Sequence, residues 1–130
     1  MIYVFCSNLL GIHKDEISQT AVLHYGAQPG IGSGLVGSSY ALPIRSQPSE
    51  ITLRIFDAED HLLSDVEIIA NIKTWYQFAK NSEFHFKLFT LDINPDFACL
   101  LREAGPIPDN ITLDKDLLWF INKTSRAKFS

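Results

Sequence analysis

The chain is predicted to fold as a single α/β domain in three layers, a mixed, mainly parallel central sheet flanked by helices. Three observations carry that expectation. The first strand-like run, Ile2–Cys6, is apolar on both parities, as in a strand buried on two faces. Strand-like and helix-like periodicities then alternate along the sequence. No linker long enough to divide two domains interrupts the 130 residues, a length at which one domain buries about two-thirds of its unfolded surface.

Each element has its own signal. Ser7, Asn8 and Gly11 break the first strand. A helix follows from Asp15, its cap, with Ile17, Ala21 and His24 on one face, Val22 and Tyr25 beside them, and Gly26 as its stop. Ser38–Leu42 reads as a strand ended by Pro43, Ser46–Glu50 as a loop, and Ile51–Ala58 as an alternating strand. The clearest helix is Ser64–Asn81, where Ile68, Ile72, Trp75 and Ala79 form an apolar stripe opposite Lys73, Thr74 and Gln77. Glu83–Leu91 alternates as a strand with Phe84, Phe86, Leu88 and Thr90 on one side. Asn94-Pro95 is a helix start, an N-cap with proline at the first helical position, and Gly105-Pro106 stops that helix. A short strand at Asn110–Leu113 and a helix at Asp114–Asn122 complete a domain over residues 1–123, with 124–130 expected as a frayed tail.

Composition excludes several classes. The net charge is −4 with no Lys/Arg cluster, which is not the footprint of a nucleic-acid binder or of a protein held at an anionic membrane. No apolar run reaches the length of a transmembrane helix. The N-terminus lacks the basic region of a signal peptide, and Cys6 and Cys99 have neither metal-site nor redox spacing. A cytoplasmic protein with reduced thiols is expected, and the four scattered histidines contain no H-x-x-x-H pattern, so no metal and no cofactor are expected.

The stretch YGAQPGIGSGLVGSSYALP (Tyr25–Pro43) holds Gly26, Gly30, Gly32, Gly34 and Gly37, five of the chain's seven glycines. Gly32–Gly37 matches G-x-G-x-x-G, but it follows a helix and opens a strand, the reverse of a dinucleotide-binding turn. No G-x-x-x-x-G-K-[ST] occurs. Turns alone also demand glycine, because they need positive φ.

Taken with FCSNLLGIH (Phe5–His13), this stretch resembles a compact family of bacterial and phage proteins with a macro-domain-like fold. The resemblance is dense over residues 2–43 and continues afterwards as a matching order of elements, including the Asn110-Ile111 strand. It implies a macro-like three-layer fold that binds an ADP-ribose-type nucleotide. Carried over, Asn8 would lie near the distal ribose, Gly11 would allow close backbone approach, and Gly30–Gly37 would flank the ligand. The expected ligand-contacting set is Ser7, Asn8, Gly11, His13, Gly30, Gly32, Gly34, Gly37 and Ser38.

The departures are as informative. Where the family has small residues after the histidine, this chain has Lys14-Asp15-Glu16, and where it has glycine, this chain has Cys6. Two carboxylates there would repel a diphosphate, each like-charge contact at ~4 Å costing on the order of 4 kcal/mol at an effective dielectric of ~20. The family's second glycine loop is missing, since FTL runs straight into DINPDF. ADP-ribosyl hydrolysis is therefore not expected, and no catalytic residue is assigned. The competing expectation is a protein-interaction, immunity or antagonist factor on a degenerate macro-like scaffold, its acidic Asp15-Glu16 edge facing a basic partner. Asp92 and Asp96 could form an acid/base pair, but they read more simply as a strand end and a helix-dipole partner. Asp57, Glu59 and Asp60 read as a solvated turn. Of Trp119 and Phe120, about 100° apart on a helix, one is expected at the surface.

Overall fold

The computed structural model describes residues 1–48 and 61–129, with side chains described to Lys123. The strand read at Ile51–Ala58 and the acidic run Asp57, Glu59 and Asp60 lie outside the described residues. The elements are β1 (Ile2–Asn8), α1 (Glu16–His24), β2 (Gly34–Val36), β3 (Ser39–Arg45), α2 (Asp65–Lys80), β4 (Phe86–Phe89), α3 (Pro95–Glu103), β5 (Ile111–Thr112) and α4 (Lys115–Phe129). The strands form one mixed sheet in the order β2-β3-β1-β4-β5. β3, β1, β4 and β5 run parallel, and β2 joins β3 antiparallel at the edge.

The two-faced hydrophobicity of β1 explains the layers. Ile2 and Val4 face a core shared with Leu42, Ile44, Phe86 and Leu88 and covered by α2, α3 and α4. Tyr3 and Phe5 face the opposite core, where α1 supplies Ala21 and Ile17. On that side the Tyr3 ring is stacked between Tyr25 and Phe89, both centroids 4.4 Å away, and its hydroxyl donates to the Ile17 carbonyl at 2.9 Å. The α2 stripe is buried as its spacing requires: Ile68, Ile72, Trp75 and Ala79 are almost completely enclosed, each large side chain contributing about 1.5–3 kcal/mol. Tyr76 ties α2 to α3 by donating its hydroxyl to the Leu101 carbonyl at 2.7 Å.

The helix starts follow their caps. Asp15 accepts from the Ser18 amide, Ser64 from the Glu67 amide and Asn94 from the Phe97 amide. In α1 the buried face differs from the sequence reading: Ser18 and Ala21 are enclosed, whereas His24 is exposed. Ser18 tolerates burial because its hydroxyl donates to the Asp15 carboxylate at 2.7 Å.

Three further expectations are corrected by pairing. Pro43 does not end β3 but sits inside it, opposite Ser7 of β1. Its missing N–H falls on the outer side, where β2 has already ended at the Gly34–Ala41 pair, so no ladder bond is lost. Phe84 is exposed rather than buried, because β4 has partners only from Phe86, opposite Ile2 and Ile111. The last helix runs through 124–129, beyond the Asn122 end read from sequence. Trp119 is exposed and Phe120 half-buried on that helix.

The buried hydroxyls and thiol set an alkaline limit. Burial pushes the Tyr3 phenol up to about 12 and raises the Cys6 thiol and Tyr76 phenol above their ordinary values of 9.0 and 10.0. Each keeps its proton in the folded chain at a pH where the unfolded chain has lost it. Their contribution is therefore intact below pH 9.0 and declines as pH rises toward about 12. Thermal midpoints recorded across that interval are expected to fall steadily; a flat profile contradicts the assignment.

Candidate functional site

The loops after β1, β3 and β4 converge at the carboxyl edge of the sheet. Because the chain leaves β1 for β3 on one side and β4 lies on the other, this edge holds a topological switch point, where open α/β sheets place ligands. A cavity of about 50 Å³ opens there, walled by Cys6, Ser7, Asn8, Arg45, Thr90 and Asp92, with Lys14, Asp15, Ile12 and Leu91 at its margin. It has room for a few waters, against roughly 300–1,000 Å³ for a typical small-molecule site.

Glycines determine how the walls meet. A Cβ on Gly32 would lie 1.9 Å from the Asn8 carbonyl oxygen, and one on Gly11 would lie 2.4 Å from the Gly30 carbonyl carbon. The segments 8–12 and 28–32 are thus packed backbone on backbone. Their polar groups are satisfied within the pair. Gly11 N–H donates to the Asn8 carbonyl, Gly30 N–H to the Gly11 carbonyl and Ile31 N–H to the Gln28 carbonyl. The Asn8 side chain closes its own loop, donating to the Ile12 carbonyl at 2.8 Å and accepting from the Ile12 amide at 3.2 Å. Ser7 donates its hydroxyl to the Gly32 carbonyl. His13 is buried, its Nε2 donating to the Gln28 carbonyl at 3.1 Å while Phe5 meets the ring edge-on. Gln19 caps the arrangement by donating to the His13 carbonyl.

The nine residues singled out in the sequence therefore fall into three places. Ser7 and Asn8 line the cavity. Gly11, His13 and Gly32 join the two loops behind it, with Gly30 exposed on their outer side. Gly34 begins β2, and Gly37 and Ser38 form the β2–β3 turn at the opposite, amino edge, where the Ser38 carbonyl accepts from the Tyr3 amide. The structure does not bring Gly34, Gly37 or Ser38 to the cavity. Lys14 and Asp15 do reach its wall, but both Asp15 oxygens are engaged by Ser18, and Glu16 points elsewhere.

One pair at this edge has no precedent in the sequence reading. Arg45, the last residue of β3, and Asp92, just past β4, form a buried two-point ion pair at 2.8 and 3.2 Å. The pair spans the end of β1, which lies between their strands. Thr90 steadies it, accepting from the Asp92 amide at 2.9 Å and donating to an Asp92 oxygen at 3.3 Å. Burial works against the Arg45 charge, yet the hydrogen bonds and charge of Asp92 outweigh it and hold the guanidinium above its ordinary value. The signal that could have found Arg45 is a charged residue closing the apolar run YALPI, a place where a partner is required.

Chemically the edge is quiet. Asp92 is held by Arg45 and Thr90 and is far from free to act with Asp96, which is exposed in the first turn of α3. The Cys6 thiol is raised by burial and then by Asp92, which disfavours the thiolate a nucleophile needs. Among the described residues no group of three or more His, Cys, Asp and Glu side chains converges to hold a metal, and no helix is long and apolar enough to cross a membrane. Comparison with family models, with curated proteins and with solved structures returns no match to this chain.

Two substitutions test this geometry. Gly32→Ala drives a methyl group into backbone and is expected to cost about 3 kcal/mol, measured by urea denaturation. Arg45→Met alone leaves Asp92 buried without its partner and is expected to cost about 3–5 kcal/mol, whereas Arg45→Met with Asp92→Leu costs distinctly less. Equal losses in the single and double variants would show that the pair is not coupled.

Proposed function

We propose that the chain is a non-catalytic protein-interaction module that works through the carboxyl edge of its sheet. The observation that carries this reading is the set of exposed aliphatic side chains on the loops at this edge, of which Ile12 and Leu91 line the cavity of about 50 Å³. Leu9, Leu10 and Leu91 are each more than half exposed, and Ile12, Ile31 and Ile93 extend the same set. Isolated exposed leucines are ordinary, but several on two loops and a third strand end of one sheet edge suit a surface that excludes water with a partner. The loops bearing Leu9, Leu10, Ile12 and Ile31 are welded by Gly11 and Gly32, so they are rigid and cost little to order on binding.

The ADP-ribose-type nucleotide expected from the macro-like resemblance is the competing ligand. It is disfavoured by the engagement of the Gly11, Ile12, Gly30 and Ile31 amides inside the chain, since those are the groups a diphosphate would need. The free thiols of Cys6 and Cys99 fit a reducing, cytoplasmic setting for the module.

A photoreactive residue placed at Leu10 tests the proposal in the native host. It is expected to give one stoichiometric protein adduct, lost when Leu9→Asp is added, while the same group at Lys80, on the amino side, gives none. No adduct at Leu10, together with a thermal shift on adding millimolar ADP-ribose, would replace the interaction reading with the nucleotide one.

A further inference from the structure

The chemistry of the partner is written in the surroundings of these side chains, and this inference rests on the interaction reading above. Four helices begin at the carboxyl edge, α4 among them because it follows β5, which runs parallel to β4. α1 and α3 follow β1 and β4 directly, and the Arg45–Leu62 bridge with the Leu63 amide bond to Ile44 returns the chain to the same edge just before α2. Each helix start carries acidic residues: Asp15 and Glu16 in α1, Asp65 and Glu67 in α2, Asp96 in α3 and Asp116 in α4. Arg45 is matched by Asp92, and at these helix starts the exposed carboxylates Glu16, Asp65, Glu67, Asp96 and Asp116 outnumber the exposed bases Lys14 and Lys115. The edge thus combines exposed aliphatic side chains with an excess of carboxylates, of which Asp65 and Asp96 line a cavity.

A second, larger cavity lies beside the first, with Asp92 forming part of both walls. It occupies about 680 Å³ between the starts of α2 and α3. Its floor is apolar, built from Ile44, Leu63, Ile68, Phe97 and Leu100, and its mouth carries Asp65, Asp96 and Asn94. A socket of that size takes large apolar side chains. An acidic mouth over an apolar floor favours a side chain set in which cations flank the inserted groups.

We infer that the edge receives a cationic amphipathic segment of a partner protein, inserting aliphatic or aromatic side chains between α2 and α3 while its lysines or arginines face Asp65 and Asp96. The apolar insertion supplies the central binding energy, and the excess of carboxylates steers the encounter and sets the orientation. An anionic segment of equal hydrophobicity is rejected by the same carboxylates.

The test uses the full chain and two designed helical peptides of matched hydrophobicity, one of leucine and lysine, one of leucine and glutamate. The lysine peptide is expected to bind saturably, one to one, and to weaken as salt is raised, while the glutamate peptide does not bind. Asp65→Asn with Asp96→Asn should weaken lysine-peptide binding roughly fivefold, with an unchanged circular dichroism spectrum. Equal binding of both peptides, or unchanged binding by the folded double variant, overturns the inference. So does a crosslink from a cysteine at position 96 to residues 49–60 of the same chain, which would make the occupant internal. An adduct at Leu10 without lysine-peptide binding defeats only the partner chemistry; loss of both defeats the interaction reading as well.

Discussion

The carboxyl edge depends on the contact between Gly32 and the Asn8 carbonyl, where a methyl group would lie 1.9 Å from the oxygen. No side chain can enter, so two loops from different parts of the chain lie against each other with their amides and carbonyls matched. Ser7, at the end of β1, holds Gly32, and His13 holds Gln28 from the other end of the same loop. The start of α1 is fixed in turn, because Gln19 bonds the His13 carbonyl one turn after the Asp15 cap.

The second constraint is the ion pair across the end of β1. Burying opposite charges is costly, and the return depends on geometry and on further hydrogen bonds. Arg45 and Asp92 meet both conditions through two-point contact and Thr90. The pair links strands that are not neighbours, and it adds to the Leu9 N–H bond to the Arg45 carbonyl where the β1–β3 ladder ends. It also divides the edge into a tight compartment on the α1 side and a wider one between α2 and α3. The tight one suits water. The wide one has an apolar floor and carries Asp65 and Asp96 at its mouth.

Helix polarity organises the charge. Parallel strands place the following helix N-termini at one edge, and each N-terminus favours carboxylates in its first turn. Acidic residues therefore collect at the same edge as the exposed aliphatic side chains for reasons of helix stability. In the interaction we propose, stability and recognition share one cause: residues that complement the dipoles also favour a cationic partner. The departure Lys14-Asp15-Glu16, which sets this chain apart from the pattern it resembles, belongs to this arrangement, with Asp15 serving as cap and Glu16 left on the surface.

Much of the fold is decided by local sequence. The α2 stripe, the Asp15 and Asn94 caps, Pro95 at a helix start and the two-faced run Ile2–Cys6 each express an interaction within a few residues, so periodicity and capping chemistry suffice to read them. Tertiary structure decided whatever required a distant partner. Pro43 lies within a strand because β2 is short, Phe84 is exposed because β1 starts no earlier than Ile2, and His24 is exposed because Ser18 found Asp15. The site follows the same division. The glycines of the sequence announce that backbone passes close by; that Gly32 lies against the Asn8 carbonyl, and that Arg45 reaches Asp92 across 47 positions, is decided only when the strands assemble. Spacing along a chain records neighbours on a helix or strand, and carries no record of which remote backbone a glycine makes room for.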